Sequence, residues 1–181
     1  MTSNAPVLIT TRRATIDDAA ALASFATRAF RDTYESENTP SDMAMYVAES
    51  FGESQQRAEI EDSRLVVLLA ERGDDIVGYA LMREGPAPDA VAAADCIEIV
   101  RLYAAKQLIG AGIGAMLMQR CVDEAAARGK TGLWLGVWEH NVRAIAFYRR
   151  WAFADVGTLE FMLGRDRQAD RLMTRRVNEE L

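Results

Sequence analysis

Glycines occupy every second position in one short segment that precedes a stretch with helical periodicity. The segment reads Gln107-Leu108-Ile109-Gly110-Ala111-Gly112-Ile113-Gly114-Ala115. Glycine lets the backbone turn tightly and approach a ligand closely, and the unpaired amide groups at a helix N-terminus attract anions. The spacing predicts a site for a phosphate or pyrophosphate group; the alternative is a tight turn that only packs a helix against a strand.

A dinucleotide-binding fold is another explanation of these glycines. Gly110, Gly112 and Ala115 fit the pattern G-x-G-x-x-A, and Glu139 ends the next predicted strand. That pattern normally follows the first strand of its domain, whereas three predicted strands precede it here. Too little chain follows for a second nucleotide-binding half, so the order of the elements argues against this fold.

The segments around the glycines show two kinds of hydrophobic pattern, one typical of β-strands and one typical of α-helices. Strands are predicted over Val7–Arg13, Leu65–Glu71, Ile76–Arg83, Cys96–Ala104, Leu133–Trp138, Phe153–Leu163 and Arg171–Val177. Helices are predicted to begin at Thr15, Ser41 and Ser54, to run from the glycines to Arg128, and to cover Val142–Arg150. Hairpins need antiparallel neighbours, and the strand-helix-strand unit before Trp138 needs parallel ones, so we expect an α/β fold with a mixed sheet.

Composition and charge exclude several classes of protein. The net charge of the 181 residues is −6, and the excess lies between Arg31 and Asp62, where nine acids accompany two arginines. A nucleic-acid-binding protein would instead carry a basic surface. The single histidine is His140, the two cysteines are Cys96 and Cys121, and no apolar run could span a membrane. We expect one cytoplasmic domain, residues 1–181, without a metal and without nucleic-acid or membrane partners.

Three segments, in order and over nearly the whole chain, resemble the GCN5-related N-acetyltransferase (GNAT) family. Gln107–Gly112 matches the family signature Q/R-x-x-G-x-G/A, Ile99–Tyr103 resembles the preceding strand, and Asn141–Tyr148 resembles the helix N-x-x-A-x-x-F-Y. The resemblance implies a single-domain mixed sheet flanked by helices, with a splay between the fourth and fifth strands. It also implies acetyl-CoA as cosubstrate. One departure is Ala152, where the family usually has glycine, and it concerns only a local turn.

The resemblance further implies which residues hold acetyl-CoA. The pantetheine arm would pair with backbone groups at the splay, and the pyrophosphate would lie against the glycines. The cofactor-binding residues expected on this basis are Leu102, Tyr103, Ala104, Gln107, Gly110, Ala111, Gly112, Ile113, Gly114, Ala115 and Asn141. The position of Asn141 suits a helix cap equally well.

Transfer of an acyl group from a thioester to an amine needs a proton acceptor for the amine and a proton donor for the leaving thiolate. By resemblance Tyr148 is the expected donor, although its spacing from Ala144 also fits a core position. Glu98 stands in an otherwise apolar strand, where burial would raise its pKa toward that of a useful base. Two alternatives stay open: Glu98 pairs with Arg101 or Arg120, or a water chain accepts the proton.

The acidic segment lies on the early helices, where the family builds its acceptor site. A surface of one sign concentrates ligands of the opposite charge, so Asp32, Glu35 and Tyr34 are expected to contact a cationic amine. The alternative is that these acids form solvated helix faces. Phe30–Tyr34 and Trp134–Asn141 resemble the PaiA-type branch of the family, and that likeness implies acetylation of a polyamine such as spermidine or spermine.

Two other functions remain open from the sequence. One is acetylation of a protein N-terminus or of lysine, and the other is a non-catalytic regulatory module that binds acetyl-CoA. No covalent intermediate is expected, because neither cysteine has a histidine near it in sequence. The exposed edge of a terminal hairpin also suggests a homodimer.

Overall fold

The computed structural model describes residues 8–93 and 95–179, which form one seven-stranded sheet and five α-helices. The strands are β1 (Ile9–Arg13), β2 (Leu65–Arg72), β3 (Asp75–Glu84), β4 (Cys96–Ala104), β5 (Gly132–Trp138), β6 (Ala154–Leu163) and β7 (Asp166–Arg176). The helices are α1 (Ala19–Tyr34), α2 (Pro40–Ser50), α3 (Glu53–Glu61), α4 (Ile113–Ala127) and α5 (Val142–Arg150). Val7, the start of the first predicted strand, lies outside the described residues.

The strands lie side by side in the order β1-β2-β3-β4-β5-β7-β6. Neighbouring strands are antiparallel except for β4 and β5, which are parallel. Helix α4 connects these two strands, because a parallel pair needs a crossover. The predicted α/β fold with a mixed sheet is confirmed.

Helices cover both faces of the sheet, because successive side chains of a strand point to opposite faces. Helices α1 and α2 pack on one face, in a core that includes Phe30, Met43 and Leu69. Helices α4 and α5 pack on the other, in a core that includes Leu68 and Leu117. These two sides of the sheet are called the α1 face and the α5 face below.

Strands β4 and β5 separate after a short paired stretch. Their register runs from Cys96 opposite Gly132 to Glu98 opposite Trp134, and no later residue of the described β4 pairs with β5. Beyond this point β5 pairs only with β7, and β4 only with β3. The predicted splay between the fourth and fifth strands is therefore confirmed.

A β-bulge in β4 lies two residues after Glu98, the last residue of β4 that pairs with β5. Leu81 of β3 pairs with Arg101, and Met82 pairs with Ile99, so Val100 is the extra residue. A bulge bends the strand that contains it and increases its twist. The bulge thus gives a physical reason for β4 to turn away from β5.

Gly78 of β3 allows α4 to lie close against the sheet. A Cβ at Gly78 would lie 2.6 Å from Cγ2 of Ile113 and 3.0 Å from Cδ1 of Leu117. Real side chains essentially never approach that closely, so any larger residue would push α4 outward. Because Ile113 is the first residue of α4, Gly78 positions the N-terminus of that helix.

Two local predictions need correction. Thr39, not Ser41, caps α2: its Oγ1 accepts the amide of Asp42 at 3.2 Å, and Pro40 takes the first helical position, where its missing N–H costs nothing. Strand β7 begins at Asp166, five residues before the predicted start at Arg171. The residues between are mostly polar, so no hydrophobic alternation marks them as a strand.

Cys96 and Cys121 are both buried free thiols, as predicted. Within the described ranges, none of the helices has the length and apolar character that crossing a membrane requires.

Candidate functional site

A cavity of about 490 Å³ opens where β4 and β5 separate. Residues 99–104 of β4 and residues 136–138 of β5 line it, together with Tyr34 from the α1 face and Tyr148 from the α5 face. The backbone edges that the two strands turn toward each other no longer pair across this gap. An extended ligand with amide groups can therefore bind between them, as an added strand does.

The glycine loop (Gly110–Gly114) forms one end of the cavity. Gly110 and Gly112 have φ angles of 91° and 86°, in the left-handed region that favours glycine. Gly112 is the N-cap of α4, and the amides of Ile113, Gly114 and Ala115 in the first turn have no acceptor within the helix. These three residues line the cavity. The loop and helix N-terminus thus fit an anion such as a diphosphate.

Besides Arg101, which is paired with Glu59, three exposed cations line the same cavity: Lys106, Arg143 and Arg150. Among the described residues none of them forms an ion pair. Unpaired cations at the rim of a cavity attract phosphate groups from a distance. They strengthen the case for a phosphorylated ligand beyond what the glycine loop alone provides.

Tyr148 lines the cavity from α5. Its ring packs edge-on against Phe147 and Phe153, with centroids 5.5 and 5.8 Å away. Burial is the main cause that raises the pKa of its phenol, and Tyr34 and Cys121 act in the same direction. Tyr148 is therefore a neutral phenol with a proton to donate near neutral pH.

Asn141 and Tyr34 meet at the cavity wall. The Oδ1 atom of Asn141 accepts the amide of Ala144 at 3.1 Å and so caps α5, which leaves its amide group for other partners. Burial raises the pKa of Tyr34, and hydrogen bonds with Tyr103 and Asn141 act against that shift. Burial also raises the pKa of Tyr103. These polar groups are therefore neutral hydrogen-bonding groups inside a largely apolar cavity.

An aromatic wall lines the cavity on the α1 face. It consists of Phe30, Tyr34, Tyr46, Trp138 and Phe161. Phe30 stacks on Tyr46 with centroids 4.7 Å apart, Tyr46 meets Phe161 at 5.4 Å, and Tyr34 meets Trp138 at 6.0 Å. Aromatic faces attract alkyl chains and cations.

Asp170 of β7 lines the cavity beside this wall. Its Oδ1 atom is buried and has no hydrogen-bond partner among the described residues. Burial, followed by the charge of Glu139, raises the pKa of Asp170 to about 6. A Cβ at Gly136 of the neighbouring strand would lie 3.1 Å from its Oδ2 atom, so the glycine leaves the space that this carboxylate occupies.

Glu98, the expected base, lies outside the cavity. It is the last residue of β4 that pairs with β5, and on the other side it pairs with Arg83 of β3. Oε2 of Glu98 receives a hydrogen bond from Nε of Arg83 at 2.9 Å. Burial raises the pKa of Glu98, and Arg83 acts against this shift. The ion pair considered as the alternative exists, but its partner is Arg83 and not Arg101 or Arg120.

The acidic segment serves several structural purposes. Glu59 forms a buried ion pair with Arg101 at 2.8 Å, and Asp62 pairs with Arg64 at 2.7 Å. Glu35 is exposed, pairs with Arg31 and does not line the cavity. Asp32 is the acid of this segment that lines the cavity. The segment is therefore not one continuous acidic wall.

Most of the residues predicted from the sequence line this cavity: Tyr148, Leu102, Tyr103, Ala104, Gly110, Gly112, Ile113, Gly114, Ala115, Asn141, Tyr34 and Asp32. Glu98, Gln107, Ala111 and Glu35 do not line it. Gln107 and Ala111 are exposed, and the amide of Ala111 donates to the carbonyl of Leu108 at 3.0 Å. The functional roles of all these residues stay predictions.

Sequence reasoning missed the cations Arg143 and Arg150 and the polar strand residues Gln168 and Asp170, all of which line the cavity. Arg143 and Arg150 lie seven positions apart on α5, a spacing that places them on one helix face. That spacing was a usable signal. No such sequence signal marked Asp170, because this residue belongs to a strand only through its pairing with β5.

The sequence of this chain is similar to a known protein family and to individual proteins of that family. Residues 24–153 match the model of the acetyltransferase (GNAT) family. An uncharacterized N-acetyltransferase from Lactobacillus delbrueckii subsp. lactis is 30% identical over 144 residues, which cover 80% of this chain and 83% of that protein. One from Mycobacterium bovis is 31% identical over 160 residues, covering 88% of this chain and 98% of that protein.

A solved structure has the same fold. The PaiA N-acetyltransferase of Thermoplasma acidophilum, in complex with coenzyme A, matches with a TM-score of 0.77 over 93% of this chain and 99% of that one. The sequence identity is 18%. An identity this low shows the fold alone, so the PaiA-type branch expected from the sequence is not established.

Proposed function

The chain belongs to the acetyltransferase (GNAT) family, and on that premise we propose that it transfers the acetyl group of acetyl-CoA directly to a primary amine of a polyamine such as spermidine or spermine. The observation that carries this proposal is one shared cavity. The glycine loop, the separated edges of β4 and β5, and the phenol of Tyr148 all line it. A phosphorylated thioester bound along the splay would lie beside a proton donor.

The chain offers a separate group for each part of acetyl-CoA. The first-turn amides of α4 and the glycine loop suit the pyrophosphate. Lys106, Arg143 and Arg150 suit the remaining phosphate charge. Residues 102–104 of β4 offer backbone groups to the amides of the pantetheine arm. When bound, acetyl-CoA supplies an acetyl group activated as a thioester.

Direct transfer is favoured because neither thiol of the described residues can act as a nucleophile in the cavity. Neither cysteine is among the lining residues. Burial raises the pKa of Cys121 to about 12 and also raises the pKa of Cys96. Both thiols therefore stay protonated and unreactive near neutral pH. The acceptor amine itself is then the nucleophile, and Tyr148 donates a proton to the leaving sulfur.

The acceptor side of the cavity matches a flexible cation. A polyamine carries ammonium groups on a methylene chain, and the aromatic wall suits the methylenes as well as the charge. Asp32 and Asp170 add carboxylates to the same cavity. This combination of apolar rings and acids supports a small basic acceptor.

The first experiment separates binding from turnover. Titration calorimetry would measure the affinity for CoA, and thiol release from acetyl-CoA would be followed with spermidine, spermine, a lysine peptide and a peptide with a free N-terminus. We expect binding of CoA and thiol release with the polyamines. Release with the peptides alone would favour a protein acetyltransferase, and binding without any release would favour a regulatory module.

The assignment of the proton donor is tested by Tyr148→Phe, which removes only the hydroxyl group. We expect kcat to fall about 100-fold, a typical loss for a general acid, while the affinity for CoA changes little. Tyr79→Phe is the matched control, because the hydroxyl of Tyr79 is buried, has no hydrogen-bond partner among the described residues and does not line the cavity. An unchanged kcat in Tyr148→Phe would show that another group supplies the proton.

A further inference from the structure

Asp170 is a half-buried carboxylate that has no ion-pair or hydrogen-bond partner among the described residues. Of the ion pairs that the described residues form, none includes Asp170. Its Oδ1 atom receives no hydrogen bond from the part of the chain that the structure describes. Trp138 and Gly136 of β5 both lie next to Asp170 on the same face of the sheet. An unpaired buried charge is costly and is retained where a ligand compensates it.

The surroundings of Asp170 suit an alkylammonium group. Tyr34, Tyr46, Trp138 and Phe161 of the aromatic wall line the same cavity. The buried cation of the cavity, Arg101, is already held by Glu59 at 2.8 Å, so it does not neutralise Asp170. A cation that enters between these rings would find the carboxylate of Asp170 as a counter-ion.

Asp170 and Tyr148 lie on opposite faces of the sheet. Asp170 pairs with Trp138 in the register of β5 and β7, and Trp138 contacts Tyr34 on the α1 face. Tyr148 packs with Leu135 and Val137 on the α5 face. Both line one cavity, so the splay joins the two faces. A nucleophile held at Asp170 and a leaving group beside Tyr148 would therefore stand on opposite sides of the reacting carbon.

We propose that Asp170 is a catalytic residue that binds the ammonium group of the acceptor and removes its proton before acetyl transfer. This inference rests on the proposed function. It assigns a base different from Glu98 and from the water chain that the sequence analysis considered.

The proton and bond changes balance as follows. The ammonium group gives one proton to the carboxylate of Asp170, which later releases it to solvent. The free amine forms a bond to the carbonyl carbon of the thioester, the C–S bond breaks, and the thiolate of CoA takes the proton of Tyr148. The second proton lost by the nitrogen returns Tyr148 to its phenol form. The products are the acetylated amine, CoA and one proton.

The direct test compares Asp170→Asn with wild type, using spermidine and acetyl-CoA at pH 7.5. We expect kcat/KM for spermidine to fall about 100-fold, because an amide cannot accept the proton. The affinity for acetyl-CoA should stay within about twofold, since Asp170 lies on the other face of the sheet. Glu160→Gln removes a charge from β6, outside the cavity, and should leave all parameters unchanged.

The pH profile distinguishes a base from a structural residue. The titratable groups that face Asp170 are Tyr34 of α1, Tyr46 of α2 and Glu139 after β5. Burial and, after it, the charge of Glu139 raise the pKa of Asp170 to about 6. Wild-type kcat/KM should fall as the pH drops through about 6. In Asp170→Asn only the free amine reacts, so kcat/KM should rise about tenfold per pH unit toward the amine pKa near 10. Asp170→Glu, which keeps a carboxylate, should restore part of the activity at neutral pH.

Each other outcome has a definite meaning. If Asp170→Asn keeps kcat/KM within threefold of wild type, or if its profile parallels that of wild type, the assignment is overturned and the proposed function survives. If the variant unfolds or loses acetyl-CoA binding and Asp170→Glu does the same, the role is structural and the assignment fails. If wild type binds acetyl-CoA yet acetylates no amine, the proposed function itself fails.

Discussion

At the scale of single residues, the carboxylate of Asp170 and the missing side chain of Gly136 share one small space on neighbouring strands. The carboxylate is held there without a hydrogen bond to Oδ1. Such a group lowers the stability of the folded protein whenever it is ionised, because the unfolded chain solvates the same charge in water. A residue kept at this cost has a purpose outside folding.

The stability of Asp170→Asn follows from the direction of this pKa shift. Folding raises the pKa of Asp170 to about 6 from an ordinary value near 4, so the wild type loses stability as the pH rises from 4 to 6. The variant lacks this loss. Because the carboxylate is only partly screened from water, we expect the variant to be about 1 kcal/mol more stable at pH 7 and equally stable below pH 4. Urea unfolding at both pH values measures this, and a less stable variant at pH 7 would contradict it.

Ala152 adopts a conformation that favours glycine, with φ of 60°. It follows the C-terminal end of α5, where its amide donates to the carbonyl of Arg149 at 3.0 Å. The left-handed conformation costs an alanine about 1 kcal/mol, and glycine avoids that cost but makes the unfolded chain more flexible. We therefore expect Ala152→Gly to raise the free energy of unfolding by about 0.5 kcal/mol.

The matched control for this change is Ala146→Gly, an exposed position inside α5. There glycine should lower the free energy of unfolding by about 1 kcal/mol, because the helical conformation favours alanine. Equal losses for the two variants in urea unfolding would show that Ala152 is not strained.

Single residues differed in how well the sequence predicted them. The glycine loop was expected in the site because a strand, a loop and a helix follow one another in the sequence. Tyr148 was expected there because its helix resembles that of the GNAT family. For Glu98 the direction of the pKa shift agrees with the expectation, but the sequence could not show that Arg83 of β3 would lie beside it or that the cavity would form elsewhere. Contacts between distant strands depend on register, and register is a property of the assembled sheet.

At the scale of elements, the position of α4 depends on Gly78. We expect Gly78→Ala to push Ile113 outward and to lower the free energy of unfolding by about 1–3 kcal/mol, a typical cost of overpacking. Because Ile113 begins α4 beside the glycine loop, the affinity for CoA should fall as well. Thermal unfolding and titration calorimetry measure the two effects.

The control for this element is Gly85→Ala. A Cβ at Gly85 would meet no atom within 4 Å, and its φ lies outside the left-handed region. Both stability and CoA affinity should stay at wild-type values in this variant. A loss of stability in Gly78→Ala without any change in CoA affinity would mean that α4 does not set the geometry of the loop.

Element boundaries were predictable where the pattern was hydrophobic. Strand β4 and helix α5 have the predicted bounds, since their apolar periodicity ends sharply. The start of β7 was missed because Asp166–Asp170 is polar and becomes a strand only by pairing with β6 and, at its end, β5. Because this part of β7 was not predicted as a strand, the sequence did not place Asp170 in the cavity.

At the scale of the whole molecule, a narrow joint connects two parts of the sheet. Within residues 8–93 and 95–179, strands β1–β4 and β5–β7 share strand pairing only from Cys96 to Glu98. A ligand that bridges the splay should therefore hold both parts together. At a CoA concentration of 100 times Kd, the expected gain in stability is about 2.7 kcal/mol.

Hydrogen–deuterium exchange locates this effect. On addition of CoA, we expect slower exchange of amides in residues 99–104 of β4 and in the glycine loop, because these line the cavity. Amides of β2 do not line it and serve as the internal reference. Uniform protection across β2 and β4 would indicate general tightening instead of bridging at the splay.

The opening between β4 and β5 has a consequence for the order of events in catalysis. The opening is lined from both faces of the sheet. The acetyl donor and the amine acceptor can therefore approach the reacting carbon from opposite faces. Neither has to depart before the other arrives. The proposed function therefore predicts that the enzyme, acetyl-CoA and the amine form one complex before transfer, with no acetyl group stored on the chain in between.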